Sequence, residues 1–395
     1  MKNKKWFTCT PVAFKGDHTF FHRDSGLFCK AFQEIGVESK AVMPLPSQEG
    51  AWPDLIRTEY KNLESADWWK SQKIDGVVLY AWTKTKYTPI AKAIHESGLK
   101  LVVYLDTGAS IYPWNDWWFW TKTIFRASRL RHHNCGVFFA LIWILRMHTL
   151  SIANNSQRRK HLDNADLIGV PVPLAIDSHK RIPFLMSSLA KSRLYLVPNP
   201  VASHFRYNPL QSKEDRIIAV GRWDDVEQKR PRYLMKSIEL FCSQTPSTQI
   251  DIFGFIPEFM ADWHRALPPE WQKRITLHGI VKSQEIADYY QMAKICLCPS
   301  MHEGTHIASA EAVCCGCSVV VAPCPSLSAI HWYTSEQSGT IADKDTPVSF
   351  AEAISREVAL WADNHRNPTQ ISDLWCTRLH ATNTAQKILA FFEPS

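Results

Sequence analysis

Pro299-Ser300-Met301-His302-Glu303-Gly304-Thr305-His306-Ile307-Ala308-Ser309-Ala310-Glu311 follows directly on the apolar run Ile295–Leu297 and leads into Ala312-Val313-Cys314-Cys315-Gly316. An apolar run ended by Pro-Ser, a short polar loop and then a helix starting near Thr305 form the strand-loop-helix step of an α/β sheet. Parallel strands need such crossovers, and a sheet covered on both faces needs strands that are apolar throughout. The loop falls at the carboxyl edge of its strand, where open α/β sheets bind ligands.

Working outward from this stretch, the same alternation recurs. Ile217–Val220 ends in Gly221, Ile250–Phe253 in Gly254, Ile275–Leu277 at Gly279 and Ser318–Ala322 in Pro323. Between them, Leu234, Ile238 and Phe241, then Ile286, Tyr289, Tyr290 and Ala293, have the spacing of one helix face. The first half repeats the scheme less regularly, with strand candidates Lys5–Thr10, Val37–Val42, Ile74–Tyr80, Leu99–Leu105, Leu167–Val172 and Leu194–Val197. Two doubly wound α/β domains are predicted, 1–205 and 206–371, with the turn Pro198-Asn199-Pro200 near their boundary. Residues 372–395 read as a terminal helix that packs back on the first domain.

The length of 395 residues suits two domains, and 45% hydrophobic with 21% charged residues excludes a disordered chain. A net charge of +7 fits an anionic ligand or membrane surface and is too small for a dedicated nucleic-acid binder. Eleven cysteines, an odd number, and no secretory signal in Met1–Phe14 read as a reduced, cytoplasmic protein. Cys296-x-Cys298 with Cys314-Cys315-Gly316-Cys317 has some zinc-like spacing, but the first pair lies in a strand-like run and the second in a helix-like run. Buried small side chains explain them better, and no metal site is expected. Val137–Leu145 is too short to span a bilayer. The aromatic-rich segment 114–146, with Lys122, Arg126, Arg129, Arg131 and Arg146, has the composition to lie on an anionic membrane, peripheral to the inner face of the plasma membrane. An ordinary helix pair facing the other domain is the alternative.

Two loops carry chemistry. A helix starting near Thr305 offers unpaired backbone N–H groups and a positive dipole end to a phosphate, and Gly304 permits close approach. Glu311, two turns beyond Glu303, is placed to face the same cleft, and carboxylates suit sugar or ribose hydroxyls as acceptors. The second loop, Gly221-Arg222-Trp223-Asp224-Asp225-Val226-Glu227-Gln228-Lys229, brings Arg222 and Lys229 as a fork and a point charge for a diphosphate. Ordinary surface glutamates and a solvated charged turn are the plain alternatives.

Strand-Gly-Arg…Lys followed by Pro-Ser…Glu-x₇-Glu and Cys-Gly-x-x-Val-Val resembles the retaining glycosyltransferases of family 4, with the GT-B fold, most strongly over Arg216–Pro323. Leu196-Val197-Pro198-Asn199-Pro200-Val201 and Ala165-Asp166-Leu167-Ile168 extend the resemblance. It implies two Rossmann-like domains facing each other across a cleft and a nucleotide diphosphate sugar as donor substrate, with no cofactor or catalytic metal. The acceptor would be a hydroxyl of a glycan or lipid-linked molecule in cell-surface polysaccharide synthesis. Carried over by position, Glu303 binds donor-sugar hydroxyls and Glu311 the ribose. Arg222 and Lys229 neutralise the leaving diphosphate, helped by Gly304, Thr305, His306 and Ile307, and Gly279, Val281 and Lys282 lie beside the base. The sequence departs from the family pattern at several points. Gly16 stands alone where paired glycines are usual, His306 replaces a small residue, and Arg222 and Lys229 are further apart than usual. Trp82 and Asp106 hold the strand-end positions of the first domain, and Asp106 is its candidate catalytic group, a helix cap being the plain reading. A catalytically inactive partner in glycan assembly and a GT-B nucleotide-sugar epimerase are the alternative functions.

Overall fold

In the computed structural model the described residues are 4–393, except 16–17, 46–51, 81–84, 106–117, 119–120, 123, 126–127, 129–135, 182–186, 246, 324–328 and 336. Gly16, Trp82 and Asp106 therefore lie outside the described residues, as does much of 114–146. The chain divides into Met1–Pro200 with Ala381–Ser395, and Val201–His380.

The first unit holds a parallel seven-stranded sheet: β1 (Trp6–Cys9), β2 (Ala41–Pro44), β3 (Leu55–Thr58), β4 (Gly76–Tyr80), β5 (Lys100–Tyr104), β6 (Leu167–Val170) and β7 (Leu194–Leu196), in the order β3-β2-β1-β4-β5-β6-β7. β1 and β4 are buried along their whole length, as a sheet covered on both faces requires. The second unit repeats the plan with β8 (Glu214–Val220), β9 (Gln249–Phe253), β10 (Ile275–Gly279), β11 (Ala293–Cys298), β12 (Ser318–Val321) and β13 (Gly339–Ile341), in the order β10-β9-β8-β11-β12-β13. Strand order reverses between β8 and β11, which pair in parallel, so the loops after these two strands flank the crevice of that sheet.

β3 and β13 are edge strands that the sequence reading did not foresee. Leu-Ile-Arg-Thr and Gly-Thr-Ile are short and mostly half-buried, so neither carries the long apolar run that marks a central strand. At the C-terminus, the expected single helix from Ser372 is two. The first, Pro368–Leu379, belongs to the second unit, and the second, Ala381–Phe391, to the first. His380 breaks them with extended dihedrals (φ −57°, ψ 134°) and forms a parallel bridge with Val201. The division thus falls after Pro200 and again after His380, not after residues 205 and 371. Ala381–Phe391 packs on the helix Asp24–Glu34, and the Phe392 ring just beyond it sits 5.2 Å from the Trp6 ring.

Gly136–Asp163 is a helix of 28 residues. Ala140 is buried, but Val137, Phe138, Leu141, Ile142 and Leu145 are exposed. Among the described residues no helix is long and apolar enough to cross a membrane.

Candidate active site

We label the helices of the second unit used below α1 (Pro231–Cys242), α2 (Ser283–Met292), α3 (Ile307–Cys314) and α4 (Pro368–Leu379). The loops leaving β8 and β11 are stitched together by backbone and side chain. Met301 N–H donates to the Gln228 carbonyl at 2.8 Å. The Gln228 side-chain amide donates to the His302 carbonyl at 3.1 Å and to Glu303 Oε2 at 3.3 Å, while its backbone N–H donates to Asp225 Oδ1 at 3.1 Å. At the centre Lys229 Nζ donates to Glu303 Oε1 at 2.5 Å, with the two side chains only 11% and 7% exposed. Arg230 then takes a left-handed conformation (φ 55°) and Pro231 opens α1, a position where its missing N–H costs nothing. That reversal sends the guanidinium of Arg230 away to Asp345, at 2.6 Å, and leaves the Lys229 ammonium facing Glu303.

On the other side His306 caps α3 with φ 47°, an uncommon conformation for a residue other than glycine. Its ring is buried and Nδ1 lies 2.7 Å from Ser309 Oγ. Burial pushes the His306 pKa down to about 4, so the imidazole is neutral at neutral pH. Burial works the other way on Glu303 and would raise it, but positive charge facing it, at His306 when protonated and at Lys229, outweighs burial and holds the carboxyl below its ordinary value. Near neutrality the site therefore presents an ammonium, a carboxylate and a neutral imidazole beside a helix N-terminus.

Cys298, Glu303 and His306 also place ligand atoms within 4.8 Å of one another. The ammonium on Glu303 makes this a poor cation site, since it already occupies the carboxylate and repels added positive charge. The arrangement suits an anion next to hydroxyl groups. The Glu303 carboxylate accepts from Lys229, Gln228 and Ser300, and of the roughly four lone-pair directions a carboxylate offers, what remains can accept from a polyol.

The remaining sequence candidates are placed as follows. Gly304 and Thr305 form the loop into α3, with Ile307 its first residue. Glu311 is half-buried on α3. Arg222 projects to solvent, 73% exposed, and its ion pair is with Asp225 at 3.6 Å, not with the carboxylate at 303. Gly279 ends β10 with φ +75°, and its carbonyl accepts from Gly254 N–H at 2.8 Å. Val281 is half-buried and Lys282, exposed, caps α2. Gly254 itself has φ +109°, and a Cβ there would lie 1.9 Å from the Gly221 carbonyl oxygen, so the loops after β8 and β9 meet backbone to backbone.

Sequence reasoning missed Gln228, whose role depends on a partner in a distant loop. It also missed a chain of polar groups across β8, β9 and β10. Asp251 accepts from Arg216 Nη1 at 2.5 Å and lies 2.6 Å from His278 Nε2, while the His278 ring stacks on Phe253 at 4.3 Å. An aspartate inside the apolar run Ile250–Phe253 was the available signal, because a carboxylate is rarely buried without a partner.

Residues 214–359 match the family model of glycosyl transferases group 1. That match covers most of the second unit. No curated protein sequence matches the chain significantly. Among solved structures, the apo form of lipopolysaccharide outer core galactosyltransferase WaaB aligns at 13% identity and a TM-score of 0.60, over 98% of this chain and 99% of that one. Sucrose-phosphate synthase from Thermosynechococcus elongatus aligns at 12% and 0.61, over 98% of both chains. HepE from Anabaena, in complex with UDP, aligns at 10% and 0.60, over 98% of this chain and 99% of that one. The chain thus has the GT-B fold, with two Rossmann-like domains.

The buried imidazole gives a pH dependence. His306 takes up a proton near pH 6.5 when unfolded but only near pH 4 when folded, so the unfolded state binds more protons between those values. Its contribution is fully present above about pH 6.5 and is lost as pH falls toward 4. His306→Asn, which tolerates the left-handed backbone, should show a shallower fall in Tm over that range than the parent. Parallel melting curves at a series of pH values check this, and identical slopes would contradict it.

Proposed function

We propose that this chain is a retaining, metal-independent glycosyltransferase of family 4. It would move a hexose from a nucleoside diphosphate sugar to a hydroxyl of a glycan or lipid-linked acceptor in cell-surface polysaccharide synthesis. The observation that carries this reading is the buried Lys229–Glu303 pair at the carboxyl edge of β8 and β11, beside the start of α3. As the anomeric C–O bond breaks, its electron pair passes to the diphosphate oxygen. Lys229 and the first amides of α3 meet that growing charge in a site with little water, where fixed charge is most effective. The acceptor oxygen bonds to the anomeric carbon on the same face, and its proton goes to the departing phosphate oxygen. Glu303 accepts hydrogen bonds from sugar hydroxyls and does not become covalently bound. Glu311 takes the ribose and Gly279–Lys282 flank the base. Arg222, exposed and paired with Asp225, would turn to the diphosphate when donor binds, and Asp106 would serve the acceptor.

A lipid-linked acceptor agrees with the exposed apolar residues Val137, Phe138, Leu141, Ile142 and Leu145. With the basic residues of 114–146 they would rest on an anionic bilayer, making the protein cytoplasmic and peripheral. Each near-surface charge adds about 1 kcal/mol, screened over roughly 8–10 Å at physiological salt.

Glu303→Gln should reduce transfer by on the order of 10²-fold or more while nucleoside diphosphate affinity stays within about threefold, because its partners are sugar hydroxyls. A radiolabelled-donor assay with nucleotide titration checks both numbers, and equal loss of nucleotide binding would remove Glu303 from the sugar subsite. Wild-type protein should co-sediment with vesicles containing phosphatidylglycerol, less so in high salt. A variant with Glu at 122, 126, 129 and 131 should remain in the supernatant. Equal recovery of the two proteins would leave the segment as ordinary packing.

A further inference from the structure

Cys314 closes α3, the helix that begins at the donor loop, and Cys376 and His380 lie one turn apart at the end of α4. All three are buried, and their two sulfurs and one ring nitrogen lie within 4.8 Å of one another. With Zn–S near 2.3 Å and Zn–N near 2.0–2.1 Å, a tetrahedral zinc sets ligand-to-ligand edges of roughly 3.4–3.8 Å, so small rotamer adjustments close the set. His380 Nε2 faces the Phe205 carbonyl oxygen at 2.9 Å. Donation there puts the ring proton on Nε2 and turns Nδ1 toward the Cys376 thiol, with which the ring is hydrogen-bonded, so a metal would replace the proton the two groups share. A backbone carbonyl on the second ring nitrogen is the support that metal-ligating histidines ordinarily have.

The surroundings of the sulfurs are polar. Cys376 Sγ lies 3.4 Å from the Cys314 carbonyl oxygen and 3.7 Å from that of Phe205, and Ser372 Oγ is 3.6 Å away. Thiols that merely fill a core behave as small hydrophobes among apolar neighbours. Here two thiols from separate helices meet an imidazole, and the Phe205 and Cys314 carbonyls beside them accept from His380 and Ser372, an outer shell that holds the three side chains in place. We propose that Cys314, Cys376 and His380 form a structural site for one thiophilic divalent cation, with zinc the best fit. It would pin the end of α3 to the end of α4 where the chain leaves the second unit, and it is separate from the donor site at Glu303.

The full chain, expressed in zinc-supplemented medium and desalted, should carry about one zinc per molecule by elemental analysis. Cys376→Ser and His380→Ala should each lower zinc content at least about tenfold, as loss of one ligand from a three-residue set implies. Because either variant can misfold, the wild-type chain is also stripped and titrated with cobalt(II). Thiolate-to-cobalt charge-transfer absorption with the intense visible bands of a tetrahedral ion is the expected result. Wild-type protein that carries no zinc and develops no thiolate–cobalt absorption would overturn the proposal. Zinc content unchanged in both variants would overturn it too, as would a Cys314–Cys376 disulfide in the purified metal-free chain.

Discussion

Removing an ammonium and a carboxylate from water costs several kcal/mol for each ion, and Lys229 and Glu303 are both nearly fully buried. Either alone would destabilise the fold by about 3–5 kcal/mol or lose its charge. Together they persist because each is the other's counter-ion and because Gln228 satisfies the second carboxylate oxygen. That mutual dependence fixes the two loops relative to each other. It needs β8 and β11 side by side, Met301 bound to Gln228, and a reversal at Arg230 that parts two neighbouring cations. On the proposed function the pair would exchange with substrate, a diphosphate giving Lys229 a second counter-ion and sugar hydroxyls giving Glu303 donors.

Much of this was legible because it is local. A strand, a Pro-Ser stop, a glutamate and a helix lie within some twenty residues, and the central strands advertise themselves by continuous apolar runs. β3 and β13 did not, since an edge strand buries only part of its surface and need not be apolar throughout. Sequence offers Arg222 as a fork and Lys229 as a point charge for one diphosphate, and their long spacing weakens the lysine more than the arginine. The fold separates them, burying one amine against Glu303 and leaving the guanidinium in solvent with Asp225.

The cysteines make the same point from the other side. Spacing drew attention to Cys296, Cys298, Cys314, Cys315 and Cys317, which lie close in sequence. The Cys317 thiol instead donates to the carbonyls of Tyr290 and Ala293, at 3.2 and 3.1 Å, and Cys296 sits inside β11. The convergent set joins Cys314 to residues 62 and more positions away, across a helix break at His380 that no local pattern announced. Gly254 belongs to this class too: its approach to Gly221 is a contact between loops, visible in sequence only as one more glycine after a strand.

The central claim is that Lys229 is the cation for a nucleoside diphosphate at this edge. Isothermal titration calorimetry of the wild type and of Lys229→Met, with UDP, GDP, ADP and dTDP and then with the nucleoside of whichever binds, tests it directly. The account predicts that one diphosphate binds the wild type, that the variant binds it at least about tenfold more weakly, and that nucleoside affinity is unchanged. Equal diphosphate affinity in the two proteins, or no diphosphate binding by the wild type, would contradict it.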